Sequence, residues 1–171
     1  MSHLAAEATP DLAALRHQAR MVQMVVRRNV EGLSHADSLV QPTPGGNCLN
    51  WVVGHLAWTY AGAVALVGQR TRLDQGALAR YARGGAPVTE AAEARDFGQL
   101  VAAFDEGSER FDAGLATLPP ETLGRPAPDS PTGDPNETVG SLLATVLFHQ
   151  AYHSGQTGVL RRLAGRAGAI K

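Results

Sequence analysis

Four stretches of this chain repeat apolar residues at helical intervals, and no stretch alternates apolar with polar residues for long enough to make a strand. The first runs from about Pro10 or Asp11 to about His35, with Leu12, Leu15, Ala19, Val22, Val26 and Val30 on one side; Pro10 suits a first helical turn. Gln41 to Gly46 (QPTPGG) then forces a turn, and Asn47 is expected to cap a second helix from Cys48 to about Val67. The stretch from about Gly68 to Thr89 is less regular: Leu73, Leu78 and Tyr81 suggest a short helix that Gly84, Gly85 and Pro87 would end. A third long helix, from about Ala91 to Leu118, places Phe97, Val101, Phe104, Phe111 and Leu115 on its inner face before Pro119 and Pro120 stop it. The last starts at Thr138, a good N-cap, and runs to about Ala164, with Leu142, Val146, His149, His153, Leu160 and Leu163 along one face and Gly165 as terminator.

Such a pattern predicts an all-α fold, a four-helix bundle with long crossover connections after the second helix and before the fourth. The latter connection, Pro119 to Asn136, holds six prolines, which would interrupt any central strand. A structureless loop of that length often lies over a site. A chain of 171 residues is read as a single domain, 1–171, large enough to bury a core without staples.

Charge excludes some roles. The formal net charge is -1, and the basic residues are scattered. Arg161, Arg162 and Arg166 are what a helix C-terminus favours, so nucleic acid is not an expected partner. No apolar run nears the roughly twenty residues that span a bilayer, and the first residues lack the pattern of a secretory signal. Cys48 is the one cysteine, so no intrachain disulfide can form, and a reducing, cytoplasmic setting is expected.

Chemistry enters with the histidines. His149 and His153 in FHQAYHSGQ are four residues apart, so on a helix they share a face and can converge on one ion. Both take positions read as inner stripe, where unpartnered imidazoles would be costly. Carbonyls, hydroxyls or water could satisfy them as well as a metal could. His55, in NWVVGHLAW, is expected to point inward with Val52, Thr59, Gly62 and Leu66. A set of His55, His149 and His153 would offer three nitrogen donors and leave coordination positions open, as catalytic sites do. Nitrogen donors suit zinc, nickel, copper or iron(II). His3, His17 and His35 read as surface or helix-end residues, and Cys48 as a small buried side chain. Gln150 stands where a zinc protease needs glutamate, and no acidic residue follows Glu137 on the last helix, which argues against a di-iron carboxylate site.

Together, GGNCLNWVVGHLAW, HQAYHSGQ and the four-helix spacing resemble the DinB family, the DinB/YfiT-like metalloenzymes. The resemblance covers nearly the whole chain. It implies a left-handed bundle of up-down-down-up type, a divalent metal on three histidines matching His55, His149 and His153, and a homodimer. Gly155 and Gln156 match the family's GQ; Gly155 would admit a close neighbour, and Gln156 would bond a group behind a ligand or a packing partner. Some relatives transfer or isomerise substrates using thiols such as bacillithiol or mycothiol.

Two functions follow as expectations. One is a divalent-metal enzyme, using zinc or nickel and a low-molecular-weight thiol in S-transferase-like or isomerase-like chemistry on a small-molecule substrate, with Tyr152 or a loop residue moving protons. The other is a non-catalytic, stress-associated bundle that the metal stabilises by binding only the native state. A third, metal-free reading makes the chain a dimerisation module.

Overall fold

A computed structural model describes residues 11–127, 131 and 133–170. The helices are α1 (Leu12–Val30), α2 (His35–Ser38), α3 (Leu49–Ala63), α4 (Phe97–Thr117) and α5 (Val139–Leu163). Among the described residues the only β feature is one isolated bridge, Pro126 to Thr138.

Local chemistry sets most boundaries. Asp11 caps α1 by accepting from the Ala13 amide, while Pro10 and His3 lie outside the described residues. The helix stops at Val30 rather than near His35, because Gly32 takes a left-handed φ of +72°. A new turn, α2, then starts from the Ser34–Asp37 capping box. The N-cap of α3 is Cys48 and not Asn47, and it makes no side-chain capping bond. This helix tightens into a 3-10 turn over Val64–Val67 before Gly68. Ala91–Glu93 forms only a 3-10 turn, and α4 proper starts after Asp96, which accepts from the Gln99 amide. Thr138 and Ser141 form the expected cap of α5, and Gly165 (φ +76°) follows its end.

Helix directions follow from the residue pairs that meet. Asn50 reaches Arg95 and Tyr60 packs on Phe104 and Phe111, so α3 and α4 run parallel. Arg16 and Arg20 bind Asp112 while Arg27 binds Asp105, so α1 is antiparallel to α4. Asn29 meets Thr157, and Arg161 caps the carbonyls of Asn29 and Glu31, so α1 and α5 end together. The bundle is therefore up-down-down-up, with α1 and α5 each packed on a member of the α3–α4 pair. Successive helices α1 and α3, and likewise α4 and α5, stand diagonally opposite, which is why the connections are long.

Burial agrees with the apolar spacing in α1 and α4 but not everywhere. Leu15, Ala19, Val22, Val26 and Val30 are buried, as are Phe97, Phe104, Phe111 and Leu115. Every residue of α3 from Leu49 to Ala57 is buried, so its first half has no polar face at all. The expected inner stripe of α3 fails beyond His55: Thr59 is half-buried and Gly62 exposed. On α5 the innermost line is Leu143, Leu147, Gln150, Ser154 and Thr157, one position round from the expected stripe, and Leu163 is exposed. Gly155 faces open space and admits no close neighbour. The connection from Gly68 to Asp96 is a strap over α3 that buries Leu78, Tyr81 and Val88, with a 3-10 turn at Ala79–Tyr81. In the proline-rich connection, a 3-10 turn at Pro120–Gly124 buries Leu123, and that turn packs on α5. None of the described helices is long and apolar enough to cross a membrane.

Candidate metal centre

The middles of α3 and α5 meet at three imidazoles. His55, His149 and His153 each offer one ring nitrogen, and these atoms lie within 4.8 Å of one another. Among the described residues they are the one group of His, Cys, Asp or Glu so arranged. The rings stand edge to face, with centroids 4.5 to 4.9 Å apart. His55 is buried, whereas His149 and His153 are half-buried on the flank of α5, beside the inner Gln150 and Ser154. Convergence thus comes from the helix flank, which leaves a side of the cluster reachable from solvent.

What holds each ring is specific. His55 lies between two tryptophans of its own helix, stacked on Trp51 at 4.7 Å and on Trp58 at 5.8 Å between centroids. Its Nδ1 is 2.7 Å from the Tyr81 carbonyl. A carbonyl only accepts, so Nδ1 carries the proton and Nε2 is left with its lone pair. That Nε2 faces His149 Nε2 at 3.0 Å. On His153, Nδ1 is 2.7 Å from Gln156 Oε1, which again directs a bare Nε2 away from the bond. Gln156 therefore supports a cluster residue rather than a packing contact. His149 Nδ1 is buried and has no partner.

Tyr81 deserves its place by geometry as much as by its carbonyl. Its ring lies across Gly54, where an added Cβ would stand 2.5 Å from Cγ, so no larger residue fits beneath it. The Tyr81 hydroxyl donates to Asn50 Oδ1 and accepts from the Arg95 amide, both at 2.9 Å. Asn50, wholly buried, also donates to the Arg95 carbonyl. The strap is so fastened that one of its carbonyls fixes a ring of the cluster.

Electrostatics keep the cluster neutral. Burial lowers the pKa of all three histidines. For His149 burial, then His153, His55 and Arg83, bring it down to about 4. The Tyr81 carbonyl offsets part of the effect at His55, and Gln156 does so at His153. Near neutral pH the set is three uncharged imidazoles, the protonation state that ligates metals. Tetrahedral zinc separates nitrogen ligands by about 3.3 Å, so only small side-chain shifts separate this cluster from such a site. The donor set fits a divalent transition metal.

Other expected residues lie elsewhere. His17 is exposed, and His35 opens α2 with Nδ1 accepting from the Phe97 amide at 3.3 Å. Cys48 is buried, its thiol 3.6 Å from the Val88 carbonyl. Tyr152 is exposed, its ring edge to face with His153 at 5.1 Å between centroids. Sequence reasoning missed Trp51, Trp58, Asn50 and the Tyr81 carbonyl. Tryptophans four residues before and three after His55 were the legible signal for its stacking.

A family model described as DinB superfamily matches residues 15–157, a span containing all three histidines. No curated protein matches the chain.

Proposed function

The chain belongs to the DinB superfamily, and we propose that His55, His149 and His153 bind one divalent metal ion, zinc or nickel, through their Nε2 atoms. The observation that carries this reading is the tying of Nδ1 on both His55 and His153, which leaves a bare Nε2 on each, that of His55 facing His149 Nε2 at 3.0 Å. A divalent ion on three neutral imidazoles supplies Lewis acidity, lowering the pKa of a thiol or water in a remaining position.

The chain's residues would do the rest. Trp51 and Trp58 hold His55 in plane, and the Tyr81 carbonyl and Gln156 fix ring tautomers. His149 and His153 are half-buried, so a small thiol would approach the ion from that flank and would lose its proton to solvent on binding. An S-transferase-like or isomerase-like reaction of a low-molecular-weight thiol with a small-molecule substrate is the activity that this arrangement favours. Among the described residues no carboxylate belongs to the cluster, so water activation would lack an adjacent general base. That same fact favours, as the second reading, a metal that only stabilises the bundle.

Metal loading followed by thiol titration separates the two. Under the enzymatic reading, a thiol perturbs the spectrum of a cobalt-loaded protein and is consumed with an electrophilic substrate. A spectrum unmoved by any thiol, together with a large fall in Tm on chelation, leaves the stabilising role. The chain is further proposed to form a single domain and to pair as a homodimer. The support for pairing is an outward stripe on α5 of exposed Phe148, Tyr152, Val159 and Leu163 at helical spacing. Sedimentation at several concentrations tests it.

A further inference from the structure

The strap over α3 brings a cation to the histidine cluster that the fold does not use. Three arginines occupy its end. Arg80 is tied to Glu93 and to the carbonyls of Ala86 and Pro87, and Arg95 to the Ala77 carbonyl. Arg83 has no hydrogen bond or ion pair among the described residues, and it is exposed. Its backbone is nonetheless close to a residue that touches the cluster. Tyr81, two residues earlier, gives its carbonyl to His55 Nδ1 at 2.7 Å. Two residues span at most about 7 Å, so the Arg83 backbone lies within that distance of Tyr81, whose carbonyl holds His55, and the length of an arginine side chain is enough to span from there to the cluster. Gly84, with φ +77°, turns the chain immediately afterward. Arg83 is also the smallest of the four influences that hold the His149 pKa down.

Cluster chemistry gives this cation a purpose. Three neutral imidazoles would leave the charge of a divalent ion wholly uncompensated, and among the described residues no Asp, Glu or Cys joins the group. A metal dication on the three histidines, with the Arg83 guanidinium nearby, would make this face strongly positive and concentrate anions. Guanidinium matches a carboxylate with two parallel hydrogen bonds.

We propose that Arg83 binds the carboxylate of the ligand that the three-histidine centre accepts, so that the site selects small carboxylate-bearing molecules over neutral ones of equal size. This rests on the metal-binding reading above and adds to it the class of ligand. Arg83 is a binding residue here and takes no part in holding the metal.

The test uses cobalt-loaded full-length protein, the wild type beside Arg83→Gln and Arg83→Lys, with 3-mercaptopropionate and 2-mercaptoethanol as probes. Each thiol is titrated against the visible absorption of the cobalt. Wild-type protein is expected to prefer 3-mercaptopropionate. Arg83→Gln should weaken that ligand about five- to tenfold, leave 2-mercaptoethanol unchanged and keep full cobalt content. Arg83→Lys should recover part of the loss. Equal effects of Arg83→Gln on both thiols, or none on either, would overturn the role of Arg83 while leaving the metal site standing. A protein that takes up no cobalt would overturn the metal reading itself, and this inference with it.

Discussion

Replacing Gly54 by alanine separates two opposed effects on one helix. Alanine in a helix interior is favoured over glycine by about 1 kcal/mol, so α3 considered alone would gain stability. Against that, the new Cβ would stand 2.5 Å from Tyr81 Cγ and 2.8 Å from Cε1. Ordinary carbon contacts begin near about 3.5 Å, so the ring must retreat by about 1 Å. Tyr81 is fully buried and pinned at both ends, by Asn50 and Arg95 at the hydroxyl and by His55 at the carbonyl. Overpacking of this kind costs about 1–3 kcal/mol, and the upper end applies where nothing can yield. Subtracting the helix gain leaves a net loss of about 2 kcal/mol, or roughly 4–8 °C in Tm for a chain of this size. Urea titration with an unchanged m-value is the assay. Because the strap carries the Tyr81 carbonyl, metal affinity should fall in the same variant. A Gly54→Ala protein more stable than the parent would refute the packing argument.

Three shorter predictions follow. Gln156→Ala removes the acceptor for His153 Nδ1 and should weaken metal binding about 10–100-fold, with Gln156→Glu restoring it; competition with a chromophoric chelator reads the difference, and equal affinities would count against the tautomer argument. The pKa of His149 falls from 6.5 to about 4 on folding, so between those values the unfolded chain binds more protons and stability must fall as pH drops from 6.5 toward 4. Urea midpoints of metal-free protein at pH 7.5, 6 and 5 should decline in that order, less steeply in His149→Gln; a flat or rising series would show the ring to be solvated. Metal binding has the same direction, since neutral rings are the ligands, and loss of metal should begin below pH 6.5 rather than above it.

Much of the fold is legible where a helix has one wet face. Apolar spacing located the buried sides of α1 and α4, because their outer faces carry arginines, aspartates and glutamates. The first half of α3 is buried all round, so periodicity there has nothing to distinguish, and of its expected inner face Val52 and His55 are buried while Thr59 and Gly62 are not. On α5 the buried line includes Gln150, Ser154 and Thr157, polar residues that a hydrophobic count assigns to solvent. The histidines were therefore read as innermost when they flank that line. His149 and His153 could be paired from their spacing alone, and His55 joined them through its place on an apolar helix. The Tyr81 carbonyl and Arg83 come from an irregular strap, where no period reports which backbone group will meet a distant ring. Small residues were the available hint: Gly54, one residue before His55, marks the seat of the Tyr81 ring.

The central claim is that three histidines bind a metal. Its most direct test is metal content by plasma mass spectrometry on tag-free protein, beside His55→Ala and the double variant His149→Ala, His153→Ala. The account predicts one divalent ion per chain in the wild type and loss of that ion in both variants, each still helical by circular dichroism. Wild-type protein that stays empty after reconstitution with zinc and with nickel would contradict it, and His55 would then simply be hydrogen-bonded to His149, with His153 held by Gln156.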